Sequence, residues 1–196
     1  MFKRTVALVL LIASAASLSQ LAGAQSSGTA LIKPQQPVAA EKNPPGDIPD
    51  NQAFVAYKSP LGFSVKVPEG WARRELPGGV SFNDKYNELH VAVSPQLSAP
   101  TLTSLKLNEV AALEKSPKAV RVTSVKALAL PAGQALVLHY GANSDPNPVT
   151  NKAIRLDNAR YYFWKAGKLA TLTVSAPAGA DNADQWLLMA RSFAWQ

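Results

Sequence analysis

The 196-residue chain carries 20 basic and 13 acidic residues, for a formal charge of +7, and contains no cysteine. The missing thiols exclude disulfides, thiolate zinc sites, thiol nucleophiles and a lipidated N-terminal cysteine. The moderate positive charge favours anionic partners, while no basic cluster exceeds two residues, which argues against nucleic acid.

In chain order, Lys3 and Arg4 precede an apolar run from Thr5 to Ala16, and the next charge is Lys33. A run of about a dozen residues matches a signal-peptide h-region, whereas a spanning helix needs roughly 20. Ala22-Gly23-Ala24 supplies an A-x-A cleavage site, so residues 1–24 are expected to be removed and the mature chain to begin at Gln25. Residues 25–52, with Pro34, Pro37, Pro44, Pro45 and Pro49, lack the apolar mass to offset ordering entropy and predict a mobile, extended linker.

From Ala53 the pattern turns to strands. Phe63, Val65 and Val67 alternate with Ser64 and Lys66 before the turn Pro68-Glu69-Gly70. Gly78-Gly79 predicts another turn, followed by strands through Val80–Phe82 and Leu89–Val93. Leu107, Val110, Ala111 and Glu114 fall at helical spacing within 103–115, and Pro117 closes that helix. Strands over 120–130 and 135–140 flank Pro131-Ala132-Gly133. Residues 159–165 and 168–175 predict a hairpin across Ala166-Gly167. A closing helix is expected from Asp181, as its cap, to Phe193, with Trp186, Leu187, Ala190 and Phe193 on one face. Consecutive antiparallel strands with a central and a terminal helix predict an α+β domain over 53–196. Its sheet has about seven strands with helices packed on its faces.

The stretch Tyr57-Lys58-Ser59-Pro60-Leu61-Gly62-Phe63, leading through the next strand to Pro68-Glu69-Gly70-Trp71, resembles the start of the PsbP-like superfamily. Gly78–Phe82, the hairpin from Tyr161 to Ala176 and the end Ser192-Phe193-Ala194-Trp195 are similar to later family elements. The resemblance implies an α/β/α sandwich and non-enzymatic binding to another macromolecule. It transfers no residue-level site.

Candidate chemistry is sparse. His90 and His139 each lie in an expected strand, in phases that leave them exposed or half-exposed. The chain has no Gly-x-Ser-x-Gly, His-Glu-x-x-His or phosphate loop, so no catalytic residues and no cofactor are expected. A hydrolase would need a serine beside His139. In the polar loop 141–152, Asn143, Asp145, Asn147 and Asn151 offer hard oxygen ligands for a divalent metal, or contacts for a small ligand. Arg73 and Arg74, with whichever of Tyr161, Tyr162, Phe163 and Trp164 face outward, are candidate partner contacts. The expectation is a secreted, periplasmic, non-catalytic adaptor that docks on another exported or membrane-associated protein, with membrane-surface contact. The alternative is a ligand or metal module built on the 141–152 loop.

Overall fold

The computed structural model describes residues 33–42 and 45–196. The expected signal peptide, its cleavage site and the first part of the expected linker lie outside the described residues. Seven strands form the main antiparallel sheet, in the order β3-β4-β5-β9-β8-β7-β6. They are β3 (Ala72–Leu76), β4 (Gly79–Asp84), β5 (Asn87–Pro95), β6 (Arg121–Leu130), β7 (Gly133–Asn143), β8 (Arg155–Lys165) and β9 (Lys168–Pro177). The expected hairpin is present, Lys165 pairing with Lys168 across Ala166-Gly167. Both turn residues have positive φ, 46° and 82°, the geometry that matches a two-residue turn to strand twist.

The first two strands do not join this sheet. β1 (Phe54–Ser59) and β2 (Phe63–Pro68) pair with each other, and the two-residue β10 (Ala194–Trp195) adds to β2. This small sheet and helix α3 (Ala183–Ser192) pack against one face of the main sheet, which we term the closed face. Directly paired residues point to the same side of a sheet, so Val80, Val91, Leu172, Tyr161 and Val137 form one row of that face. Phe163, Phe193 and Phe63 stack through it, with ring centroids 4.2 Å and 5.6 Å apart. Part of the layer expected to be helical is therefore a second sheet.

Among the described residues, the opposite, open face is covered only in part. One helical run crosses it as α1 (Leu102–Leu105), a π-helical turn (Lys106–Val110) and α2 (Ala111–Glu114). Thr101 and Ser104 form the capping box at its start. The π turn adds a residue to the helical spacing and shifts the phase expected from a regular helix. Leu105 is buried in place of Leu107, which is 70 % exposed. A second apolar cluster of Leu105, Leu138, Tyr140, Ala142, Tyr162 and Leu169 lies beneath the run.

Two further expectations need correction. The α3 cap is Asn182, not Asp181, and Asn182 makes no side-chain bond to the helix backbone. Its amide instead holds an incoming segment: Ile48 N donates to Asn182 Oδ1 (2.6 Å), and Asn182 Nδ2 donates to Gly46 O (2.9 Å). The described part of the expected linker is accordingly strapped to the domain. Gln35 N donates to Pro117 O, and Val38 N donates to Asn143 Oδ1. Asn143 Nδ2 donates to Gln36 O (2.8 Å), and Ile48 is only 4 % exposed. Proline-rich composition predicted solvation, but buried amide side chains of the domain satisfy this backbone. Gly46 permits the passage, since a Cβ there would lie 2.8 Å from Pro177.

Candidate binding cleft

The alternation of the central strands places a polar floor on the open face. In one register row stand Arg74 (β3), Ser81 (β4), His90 (β5), Thr173 (β9) and Arg160 (β8). The adjacent row carries Asn83, Glu88, Ser175, Asn158 and Tyr140. Where the helical run stops short of these rows, a cleft of about 680 Å³ opens. Its walls come from the end of α2, the 144–148 segment and the β4–β5 turn, which brings Lys118, Asp145 and Lys85 to the rim.

The floor is internally bonded. Arg160 Nε donates to Thr173 Oγ1 (3.1 Å), Nη1 to Glu109 Oε2 (3.2 Å) and Nη2 to Tyr140 OH (3.2 Å). The guanidinium also lies 5.6 Å from the Tyr140 ring centroid. Tyr162 OH donates to the same Glu109 oxygen at 3.3 Å. Glu109 belongs to the π turn, the distortion that coincides with this contact. Ser175 Oγ donates to Asn158 Oδ1 at 2.6 Å, and Asn158 Nδ2 donates to Tyr140 O. Burial pushes the Tyr162 phenol well up; Arg160 opposes that shift and Glu109 adds to it. The His90 imidazole is held below its ordinary value, first by burial and then by Arg160 and Arg74, with Glu88 opposing. Ser81 Oγ is fully buried without a hydrogen-bond partner among the described residues.

The loop residues expected as ligands are engaged elsewhere. Asn143 is a buried strand residue whose Oδ1 accepts from Val38 N and Arg155 Nη1. Asp145 pairs with Lys118 at 2.8 Å. Asn147 Oδ1 accepts from the N–H groups of Val149 and Thr150, and Asn151 sits at φ 53°. Asn143, Asp145 and Asn147 all line the cleft, but their side chains serve different partners. Among the described residues no group of three or more histidines and carboxylates gathers around a common point.

The aromatic hairpin does not form an exposed platform. Tyr161 and Phe163 fill the closed face, while Tyr162 lies under the helical run; they are 4 %, 2 % and 3 % exposed. Trp164 is half-buried and donates to Gln96 O at 2.8 Å. Strand β8 lies between β9 and β7, and both its faces are covered over this stretch, which the alternation of one strand could not reveal. Arg73 and Arg74 are exposed but diverge. Arg73 pairs with Glu75 (3.4 Å) and lies over Tyr57 on the closed side, whereas Arg74 belongs to the open-face row. The two histidines are also separated: His139 pairs with Ala159 in a closed-face row, and strands β8 and β9 lie between β7 and β5.

Arg160, Glu109, Tyr140 and the paired polar rows were not singled out from the sequence. A signal existed. Polar residues share one phase on three strands, as Glu88 and His90, Asn158 and Arg160, and Thr173 and Ser175. Their meaning depends on strand order, which alternation alone does not provide.

No family model matches the chain, and no curated protein matches it. Solved structures do. The solution structure of cyanobacterial PsbP (CyanoP) from Synechocystis sp. PCC 6803 aligns with a TM-score of 0.52 at 19% identity, covering 77% of this chain and 98% of that one. A crystal structure from Bacteroides thetaiotaomicron VPI-5482 gives 0.50 at 11% identity over 72% of this chain and 48% of its own, so the chain spans about half that protein. The Saccharomyces cerevisiae Ran-binding protein Mog1p gives 0.49 at 10% identity, over 74% and 96%. The seven-stranded antiparallel sheet, the small flanking sheet and the few helices together constitute the PsbP-like fold.

Proposed function

We propose that this protein is a non-catalytic binding protein of the cell envelope, exported to the periplasm, that docks on another exported or membrane-associated protein. The observation that carries the reading is the open half of the main sheet. Arg74 and Arg160 share one row there, and Lys85, Lys118 and Lys152 stand at the cleft. A cationic concave surface steers association with an acidic partner face. The hydroxyls nearby support a non-catalytic role: Ser175 Oγ is committed to Asn158, and Thr173 Oγ1 accepts from Arg160. Among the described residues, neither histidine receives a hydroxyl in the manner of an activated nucleophile.

The docking is tested by affinity capture from envelope extract at low and high salt, with wild type and an Arg74→Glu/Lys85→Glu variant. The reading predicts a defined partner held at low salt, released at high salt and lost in the variant. Equal retention by both proteins at both salt concentrations would contradict it.

A further inference from the structure

We infer that the open-face cleft is a recognition site for a small carboxylate-bearing solute, with Arg160 as the group that receives the carboxylate. This goes beyond the docking reading and is tested separately from it, because the probe is a small molecule and no partner protein is involved.

The cleft has the size of a small-molecule site, at about 680 Å³. On its floor, Arg160 is fixed before any ligand arrives. Thr173, Glu109 and Tyr140 each take one hydrogen bond, at 3.1–3.2 Å, and the Tyr140 ring supports the guanidinium plane. A guanidinium has five N–H donors in a rigid fork. These bonds use three of the five donors, and the Tyr162 phenol, which shares the Glu109 oxygen, stands beside the guanidinium as a further partner. No partner takes two of its bonds, so a ligand carboxylate would add charge-assisted hydrogen bonds to the guanidinium beside the Glu109 pair. The aliphatic part of the side chain and the ring beneath it are already ordered, so the entropy of ordering them is not charged to binding.

The charge around the floor points the same way. The cleft is lined by four cations (Lys85, Lys118, Lys152, Arg160) against two carboxylates (Glu88, Asp145), and Glu109, paired with Arg160 at 3.2 Å, brings the net charge to +1. The Lys118–Asp145 pair is held weakly, because the Asp145 side chain is 83% exposed. Lys118 can therefore turn to a ligand anion with little loss. Asn158 and Ser175 lie one row away on the same floor, bonded to each other and held rigid. They offer polar contacts to the uncharged part of a ligand.

The test is calorimetry on protein purified after expression of the whole chain, with succinate, inorganic phosphate and a short acidic peptide as separate titrants. Succinate is expected to bind with a dissociation constant at or below the low millimolar range. Arg160→Lys keeps the charge but removes the fork, and is expected to weaken binding at least tenfold. Lys85→Glu/Lys152→Glu reverses two wall charges without touching the core; it is expected to weaken binding by a similar factor with an unchanged melting temperature. This second variant decides the matter if Arg160→Lys fails to fold. In a 15N spectrum of the wild type, the Arg160 Nε resonance is expected to move on titration. No succinate binding would overturn the inference. So would phosphate binding as tightly as succinate, binding of the acidic peptide alone, or an affinity indifferent to both variants.

Discussion

The two faces of one seven-stranded sheet are built from the same strands yet do opposite work. On the closed face, Leu89, Val91, Leu172 and Val174 are fully buried, and three phenylalanine rings stack beneath the small sheet and α3. On the open face, their immediate neighbours His90, Thr173 and Ser175 line the cleft. The difference lies in coverage. Helical cover over the β6–β8 side ends at Glu114, and among the described residues the β3–β5 side has no second layer on this face. Stability should therefore depend mainly on the closed face and binding on the uncovered half of the other.

The sharpest way to break this comparison is to empty the closed face. Phe193→Ala removes the ring stacked 4.2 Å from Phe163 and is expected to cost about 3–5 kcal/mol, read from urea unfolding. A loss below about 1 kcal/mol would mean that the aromatic stack is not the core of the domain.

Next in size is the strap. Asn143→Ala strips the anchors of Val38 N and Gln36 O and leaves Arg155 without one acceptor. The expected cost is about 1–3 kcal/mol, with faster amide exchange confined to the 35–38 segment and the end of β7. Exchange unchanged there would show that the segment is free, as its proline-rich composition alone suggested.

The histidines sharpen the comparison because one lies on each face. Burial holds both imidazoles below the ordinary 6.5; Lys126 adds to this at His139, and Arg160 and Arg74 add to it at His90. A base whose folded value is depressed binds fewer protons than the unfolded chain between the two values. Their contribution is thus fully present above pH 6.5 and is lost as pH falls through the lower folded values. His90→Gln and His139→Gln should each flatten part of that pH dependence in thermal melts. If the double variant retains the full slope, the acid sensitivity comes from other groups.

The smallest expected effect is at the hairpin turn. Ala166 adopts φ 46°, a region that alanine enters at a cost. Ala166→Asn is expected to stabilise the domain by about 0.5–1 kcal/mol while leaving succinate affinity unchanged, since the turn does not line the cleft.

Much of the fold was legible because it is written in local patterns. The Ala166-Gly167 hairpin, the Pro131-Ala132 turn and both helical regions follow from alternation, turn residues and helical spacing. What was not legible depends on distant pairing. Nothing near Phe63 says that β2 joins Trp195 rather than the main sheet. The hairpin aromatics read as a surface candidate because one strand cannot report that both its faces are covered. Arg160 was passed over for the complementary reason: only the register of β8, β9 and β5 sets it in line with Thr173 and His90. Arg74 was identified, but its separation from Arg73 across the edge strand follows from pleat and register together.

The claim that binding belongs to the uncovered half of the open face is tested most directly by site-specific photocrosslinking in cells. A benzophenone amino acid would replace Tyr86 at the cleft rim in one strain and Leu188 on the outer surface of α3 in another; both positions are exposed. The account predicts a discrete crosslinked species from position 86, diminished by Arg74→Glu, and none from position 188. Crosslinking from 188 with none from 86 would contradict it.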